Sequence, residues 1–290
     1  MSTRFRAASI QQVLPRPLHV GAVTVLLLIV LVPLAYILLA SLNSDLAVAA
    51  GDFWPSQFTF GNYARIWQTA DLAGGLKNSV LISGSVAVVS ALVSVMTAYV
   101  LVRYKFLGRL TTLRGLVILQ SVPGTLLLLP IFILFASLST ALRIPIIGTP
   151  WAVFVTYLTF ALPFSTWVMV TYLRGLPLEI EEAARIDGAG PATVLLRIVL
   201  PLSWPGIVVA AIFSFLQGWN DVLFSSVMTS PASRTAAVAL SILSSTQDTG
   251  AVPIYGQMMA ASLVCAAPVV LLNLVFQRYL VSGLTSGGIK

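Results

Sequence analysis

The chain has 290 residues, of which 58% are hydrophobic and only 9% charged, and its mean hydropathy is +0.97. A soluble domain carries about 25% charged residues, so this sequence lacks the polar surface that a water-facing fold requires, and lipid is its expected solvent. One histidine, His19, and one cysteine, Cys265, supply no zinc, haem or iron-sulfur ligand set and no internal disulfide.

Runs free of Asp, Glu, Lys and Arg mark the elements. Residues 18–42, 78–102, 115–138, 151–173 and 257–277 contain no charge, and 202–226 contains one, Asp221. Each run can cross a hydrocarbon core of about 30 Å as a helix rising 1.5 Å per residue. Helix is expected despite the Val and Ile content, because a backbone at that depth has no water to satisfy its N–H and C=O groups. Arg4, Arg6 and Arg16 precede the first run as in a secretory signal. Its apolar core is too long for one and no convincing cleavage pattern follows, so a retained first helix is expected.

With the N-terminus in the cytoplasm, the inner side receives Arg4, Arg6, Arg16, Arg103, Lys105, Arg109, Arg114, Arg174, Arg185, Arg197, Arg278 and Lys290. That is twelve of the sixteen basic residues, leaving Arg65, Lys77, Arg143 and Arg234 outside. The bias is the positive-inside rule, and six helices return the C-terminus to the cytoplasm. The net charge of +7 is therefore a topology signal and calls for no nucleic-acid partner.

Two external connections are long. The first, 43–77, carries Asp45, Asp52 and Asp71 among Phe53, Trp54, Phe58, Phe60, Tyr63 and Trp67, which suits either an aromatic belt at the membrane interface or a partner-facing segment. The second, 227–256, is rich in Ser, Thr and Ala, with a short helix expected near 233–244. A G-x-x-x-x-G-K-[ST] run is missing, so the chain carries no phosphate-binding loop.

The internal connection 174–201 reads RGLPLEIEEAARIDGAGPATVLLRIVLP and holds Glu179, Glu181, Glu182 and Asp187, four of the nine acids in the chain. Pro177 can open a helix whose positive end takes the glutamates, with Glu181 four residues before Arg185. Gly188 and Gly190 break it, and Pro191 starts a second short helix ending near Leu200 and Pro201. On physical grounds this helix-turn-helix is either a solvated cap or a docking face, where Ala183, Ala184 and Ala189 let another protein approach and a carboxylate fixes register.

Within the spans, Asp221 is the one acid at membrane depth. Because a buried ion there is costly, it belongs either to a substrate path or gate or to an interfacial site that reaches water. Asn220 beside it suits hydroxylated ligands or an interhelical bond. Prolines at 33, 123, 130, 163, 205 and 268 predict kinked helices around an irregular cavity.

Glu182, Ala183, Ala184, then three residues to Gly188, then nine to Ile198, with Leu200 and Pro201, fit the EAA motif of the membrane subunits of bacterial ABC importers, E-A-A-x3-G-x9-I-x-L-P. Asn78 and Ser79, the Ala98–Tyr99–Arg103 pattern, and Trp219, Asn220 and Asp221 resemble further signatures of the maltose-type, MalG-like sugar permeases. So does the tail from Phe276, Gln277 and Arg278 through Gly283, Leu284, Thr285 and Gly287 to Lys290, where Gly288 and Ile289 depart from the usual G-A-V-K.

The resemblance implies an all-α membrane protein with the six-helix, type I, MetI-like permease fold. Its expected parts are a cytoplasmic segment 1–17, a permease domain 18–281 containing the coupling loop 174–201, and a cytoplasmic tail 282–290. Glu182, Ala183, Ala184, Asp187, Gly188, Ile198, Leu200 and Pro201 would couple to the ATPase, and Trp219, Asn220 and Asp221 are candidates for a translocation path or gate. It further implies a bacterial inner-membrane location and, as partners, a homologous permease subunit, two ATP-hydrolysing subunits and an extracytoplasmic solute-binding protein or lipoprotein. The substrate would be sugar-like. ATP and Mg2+ would bind the ATPase subunits, with no catalytic, cofactor or metal residue in this chain. Glycerol-phosphate or another polar solute is the nearer alternative substrate; a secondary transporter or a sensor subunit is the more distant reading.

Overall fold

The computed structural model describes residues 16–55, 58–69, 71–246 and 253–285. The cytoplasmic segment expected at 1–17 falls outside these except for its last two residues, as do Gly287 to Lys290 of the tail. Five helices are long and apolar enough to cross a membrane, and a bent pair, Pro191–Leu202 with Trp204–Trp219, makes a sixth crossing if it is one span. Among the described residues, strand-like pairing is limited to an isolated bridge between Gly148 and Thr229. The chain divides into two units, Met1–Arg65 with Val252–Leu263, and Ile66–Ala251 with Val264–Lys290.

In the first unit, α1 (Arg16–Ser41) continues through Pro33 and leaves its leucines and valines exposed, as a lipid-facing helix requires. A short α2 (Asp45–Ala49) follows, capped by Ser44, whose Oγ accepts the Ala47 N–H. The start of α3 (Gly61–Thr69) is fixed by Asn62, whose amide donates to the carbonyls of Ser41 and Asn43 at 2.9 and 2.7 Å. Buried Asp45 accepts the backbone and side-chain N–H groups of Gln257 at 3.1 and 2.9 Å. Gly256 has no room for a side chain, since a Cβ would sit 2.5 Å from the Asn62 amide.

The second unit is built on α4 (Leu72–Arg103), α7 (Pro150–Arg174) and α11 (Trp204–Trp219). Small residues let these three approach closely, and their hydroxyls bond across the interface. Ser90 donates to Ser214 at 2.8 Å, Ser165 and Ser214 are also 2.8 Å apart, and all three serines are buried. In a membrane each such bond is worth about 0.6 kcal/mol, so close packing carries most of the association. Around this core run α5 (Arg109–Ser121), α6 (Leu128–Leu142), α8 (Glu179–Ile186), α9 (Pro191–Val194), α10 (Leu200–Leu202), α12 (Leu223–Met228), α13 (Ala236–Thr246) and the greater part of α14 (Tyr255–Thr285). Asn78 and Ser79 hold the approach to α13: the Asn78 amide donates to the carbonyls of Ala232 and Arg234, and Ser79 Oγ accepts the Ala236 N–H at 2.8 Å.

Three expected boundaries move. The run 115–138 is not one helix: α5 stops at Ser121 because Pro123 disfavours helix at the residue before it, a 3-10 turn covers Gly124–Leu127, and the crossing helix is Gly124–Leu142. The run 202–226 is broken at both ends. Pro205, lacking an N–H, helps break the helix near Ser203, where the bent pair turns by 72°, and α11 ends at Trp219. Asp221 therefore lies in the non-helical link before α12, outside any membrane-crossing helix. Finally, α14 extends beyond 281 to Thr285, while Pro163 and Pro268 are accommodated inside α7 and α14 without ending them.

Candidate functional site

The loop 174–201 folds as its residues dictate. Glu179, Glu181 and Glu182 occupy the first turn of α8 and Arg185 the last, each complementing the helix dipole. The helix ends in a Schellman motif: the Ala189 N–H donates to the Ala184 carbonyl at 2.9 Å and the Gly188 N–H to the Arg185 carbonyl at 3.1 Å. That motif requires a left-handed residue, and Gly188 has φ +86° with open space where a Cβ would stand. Ala184, Val194 and Val199 face inward into the core formed with α4, α7 and α11. Glu182, Ala183, Asp187 and Gly188 face outward, with Ile186 86% exposed among them.

The second short helix expected after Pro191 is a composite. α9 gives way to a π-helical turn, Leu195–Val199, which holds Ile198, and then to α10, which contains Leu200 and Pro201. Single π-helical turns within α-helices are rare and are frequent at functional sites. Ser203 at the bend is fully buried, and its N–H reaches the Val199 carbonyl at 2.8 Å.

Glu181 was expected to pair with Arg185, and that contact exists at 4.0 Å. Its principal partner is Arg103 at the end of α4: Arg103 Nε donates to Glu181 Oε1 at 2.7 Å, and both side chains are at most 5% exposed. The two lie 78 positions apart, so local spacing gives no sign of the pair. The available signal was Glu181 standing three residues before inward-facing Ala184, on the same side of α8.

Away from the loop, a cleft of about 610 Å3 is lined by residues flanking the α5–α6 break and by α7 and α11. Its wall combines Phe160, Phe164 and Phe213 with Gln120, Gln217 and Asn220, and contains no charged residue. Of the three candidate path residues, Asn220 alone lines it. Trp219 is 5% exposed and stacks on Phe215 at 5.3 Å. Asp221 accepts the Tyr157 hydroxyl at 2.8 Å and the Ser225 N–H at 2.9 Å, which ties the start of α12 to α7.

Residues 81–285 match the family described as binding-protein-dependent transport system inner membrane component. The chain is 35% identical to the inner membrane ABC transporter permease protein YcjP of Escherichia coli K12, covering 81% of this chain and 82% of that one. It is 30% identical to the trehalose/maltose transport system permease protein MalG of Thermococcus litoralis, covering 97% and 99%. Its fold resembles a chain from the crystal structure of a bacterial ABC transporter involved in import of the acidic polysaccharide alginate, with a TM-score of 0.74 at 19% identity, covering 91% of this chain and 95% of that one. The five crossing helices with the bent pair Pro191–Leu202 and Trp204–Trp219, the EAA spacing in the loop before it and this match over most of the chain agree: the protein belongs to the inner membrane components of binding-protein-dependent transport systems.

Proposed function

We propose that the chain is one of two homologous permease subunits of an ATP-driven importer that moves a sugar or oligosaccharide from an extracytoplasmic binding protein into the cytoplasm. The observation that carries the coupling part is the outward face of α8 with the turn that ends it: Glu182, Ala183 and Gly188 stand exposed while Ala184 anchors the helix inward. A small-residue face with a carboxylate beside it suits docking to an ATPase subunit, and two such subunits, binding ATP and Mg2+, would supply the energy. The sugar assignment is supported by the relative named for trehalose and maltose and by the cleft. Its amides and aromatic rings suit a neutral polyhydroxylated solute, whereas a glycerol-phosphate would find no cation among its lining residues. Asn220 is the path residue in this reading, with Trp219 and Asp221 supporting its position.

The test is retention of the ATPase during purification of the complete complex in mild detergent. Glu182→Lys should weaken retention by about thirtyfold, the scale of losing one buried charged contact at an interface. Gly188→Val should act similarly by forcing a β-branched residue into positive φ. Glu179→Lys, exposed on the same helix, is the charge control; Glu181→Lys cannot serve, because it would set a lysine against buried Arg103. Wild-type retention in both variants would reduce the loop to a solvated connection.

A further inference from the structure

Displacement of α8 by a docked ATPase can reach the bundle by two routes. The covalent route passes through the Gly188 turn, the π-helical turn Leu195–Val199 and the 72° bend before entering α11. Each of these is a place where the backbone departs from regular helix, so the route is compliant. The other route crosses space. Glu181 on α8 meets Arg103 at the last turn of α4, and Arg103 Nη2 also donates to the Leu176 carbonyl in the link from α7, at 3.4 Å. The end of α4 is further braced by Arg109, whose Nε donates to the Leu101 carbonyl at 2.6 Å. From there α4 is bonded into the core through Ser90.

A buried ion pair is a poor choice for stability alone, because desolvating two charges offsets most of their attraction; its best-attested use is to fix register. Glu181 and Arg103 are 3% and 5% exposed, with Arg185 placed 4.0 Å from the second carboxylate oxygen. An apolar contact at the same place would let α8 slide over α4, whereas a directional bond at 2.7 Å does not. We propose that the Arg103–Glu181 pair is the rigid link that makes α4 move with α8, so that both are positioning residues for coupling. This rests on α8 being the ATPase docking helix.

The experiment follows the distance between spin labels at Glu179→Cys on α8, which stands outside the docking residues, and Ser85→Cys on α4, both exposed, in the full transporter complex with Cys265→Ser and cysteine-free partner subunits. The probe is ATP with Mg2+ and vanadate, which needs no knowledge of the transported solute. With the pair intact, the distance should stay fixed between nucleotide-free and trapped states. In Arg103→Met with Glu181→Leu, which keeps the packing without leaving a lone buried charge, it should change by about 2 Å or more on trapping, the scale of helix shifts between states. A changing distance with the pair intact, or a fixed one in the apolar variant, overturns the link. ATPase retention in Glu182→Lys is read separately, so failure of docking and failure of the link are told apart.

Discussion

Asp221 shows what one residue's chemistry says in isolation and what its neighbours add. In the sequence it is an acid in an apolar run, and membrane physics makes that costly. In the fold the helix has already ended, and the carboxylate is engaged by the Tyr157 hydroxyl and the Ser225 N–H. Tyr157 is 64 positions away, and no periodicity links the two. Asp221→Ala should therefore destabilise the purified complex by about 1–3 kcal/mol, the cost of leaving buried donors unpaired, read as a lower melting temperature. Asp221→Asn keeps an acceptor oxygen and should hold both stability and uptake near wild type. Lost uptake in Asp221→Asn at an unchanged melting temperature would instead give the charge itself a part in the path.

At the scale of elements, helix existence was legible and helix ends were not. Charge-free runs located the crossings, since lipid excludes ions whatever the tertiary context, and the EAA spacing located α8 and its glycine stop. The breaks at Pro123 and Pro205 fall at prolines visible in the sequence, but whether a proline bends, ends or merely sits within a helix depends on the packing around it: Pro163 and Pro268 do the last. Gly206, just past one break, shows such packing. A Cβ there would lie 2.7 Å from Cγ of the Tyr172 ring, whereas one on Gly190, with φ −70° and ψ 164°, would meet nothing within 4 Å. Gly206→Ala should cost about 1–3 kcal/mol by overpacking. Gly190→Ala should add about 0.4–1 kcal/mol by narrowing the unfolded ensemble at a compatible conformation. Chemical unfolding of the detergent-solubilised complex measures both, and an equal response from the two glycines would contradict the packing described at Tyr172.

For the whole molecule, the basic residues set the expected orientation, with both termini and the loop 174–201 in the cytoplasm. In a Cys265→Ser background produced without ATPase subunits, Ala183→Cys should resist a membrane-impermeant thiol reagent in intact cells and react once the inner face is opened. Labelling from outside would invert the topology and place α8 beyond reach of any cytoplasmic ATPase. The aliphatic exposure of α1 is ordinary in lipid, but Ile186 lies on a polar helix outside the spans, and its 86% exposure has a different meaning. With the loop in the cytoplasm and α8 as the docking helix, a chain synthesised in excess of its partners would display that isoleucine to the cytosol, where chaperones and proteases act on exposed apolar surface. The face that would complete the machine would then also mark an incomplete one, and subunit numbers could be matched after translation.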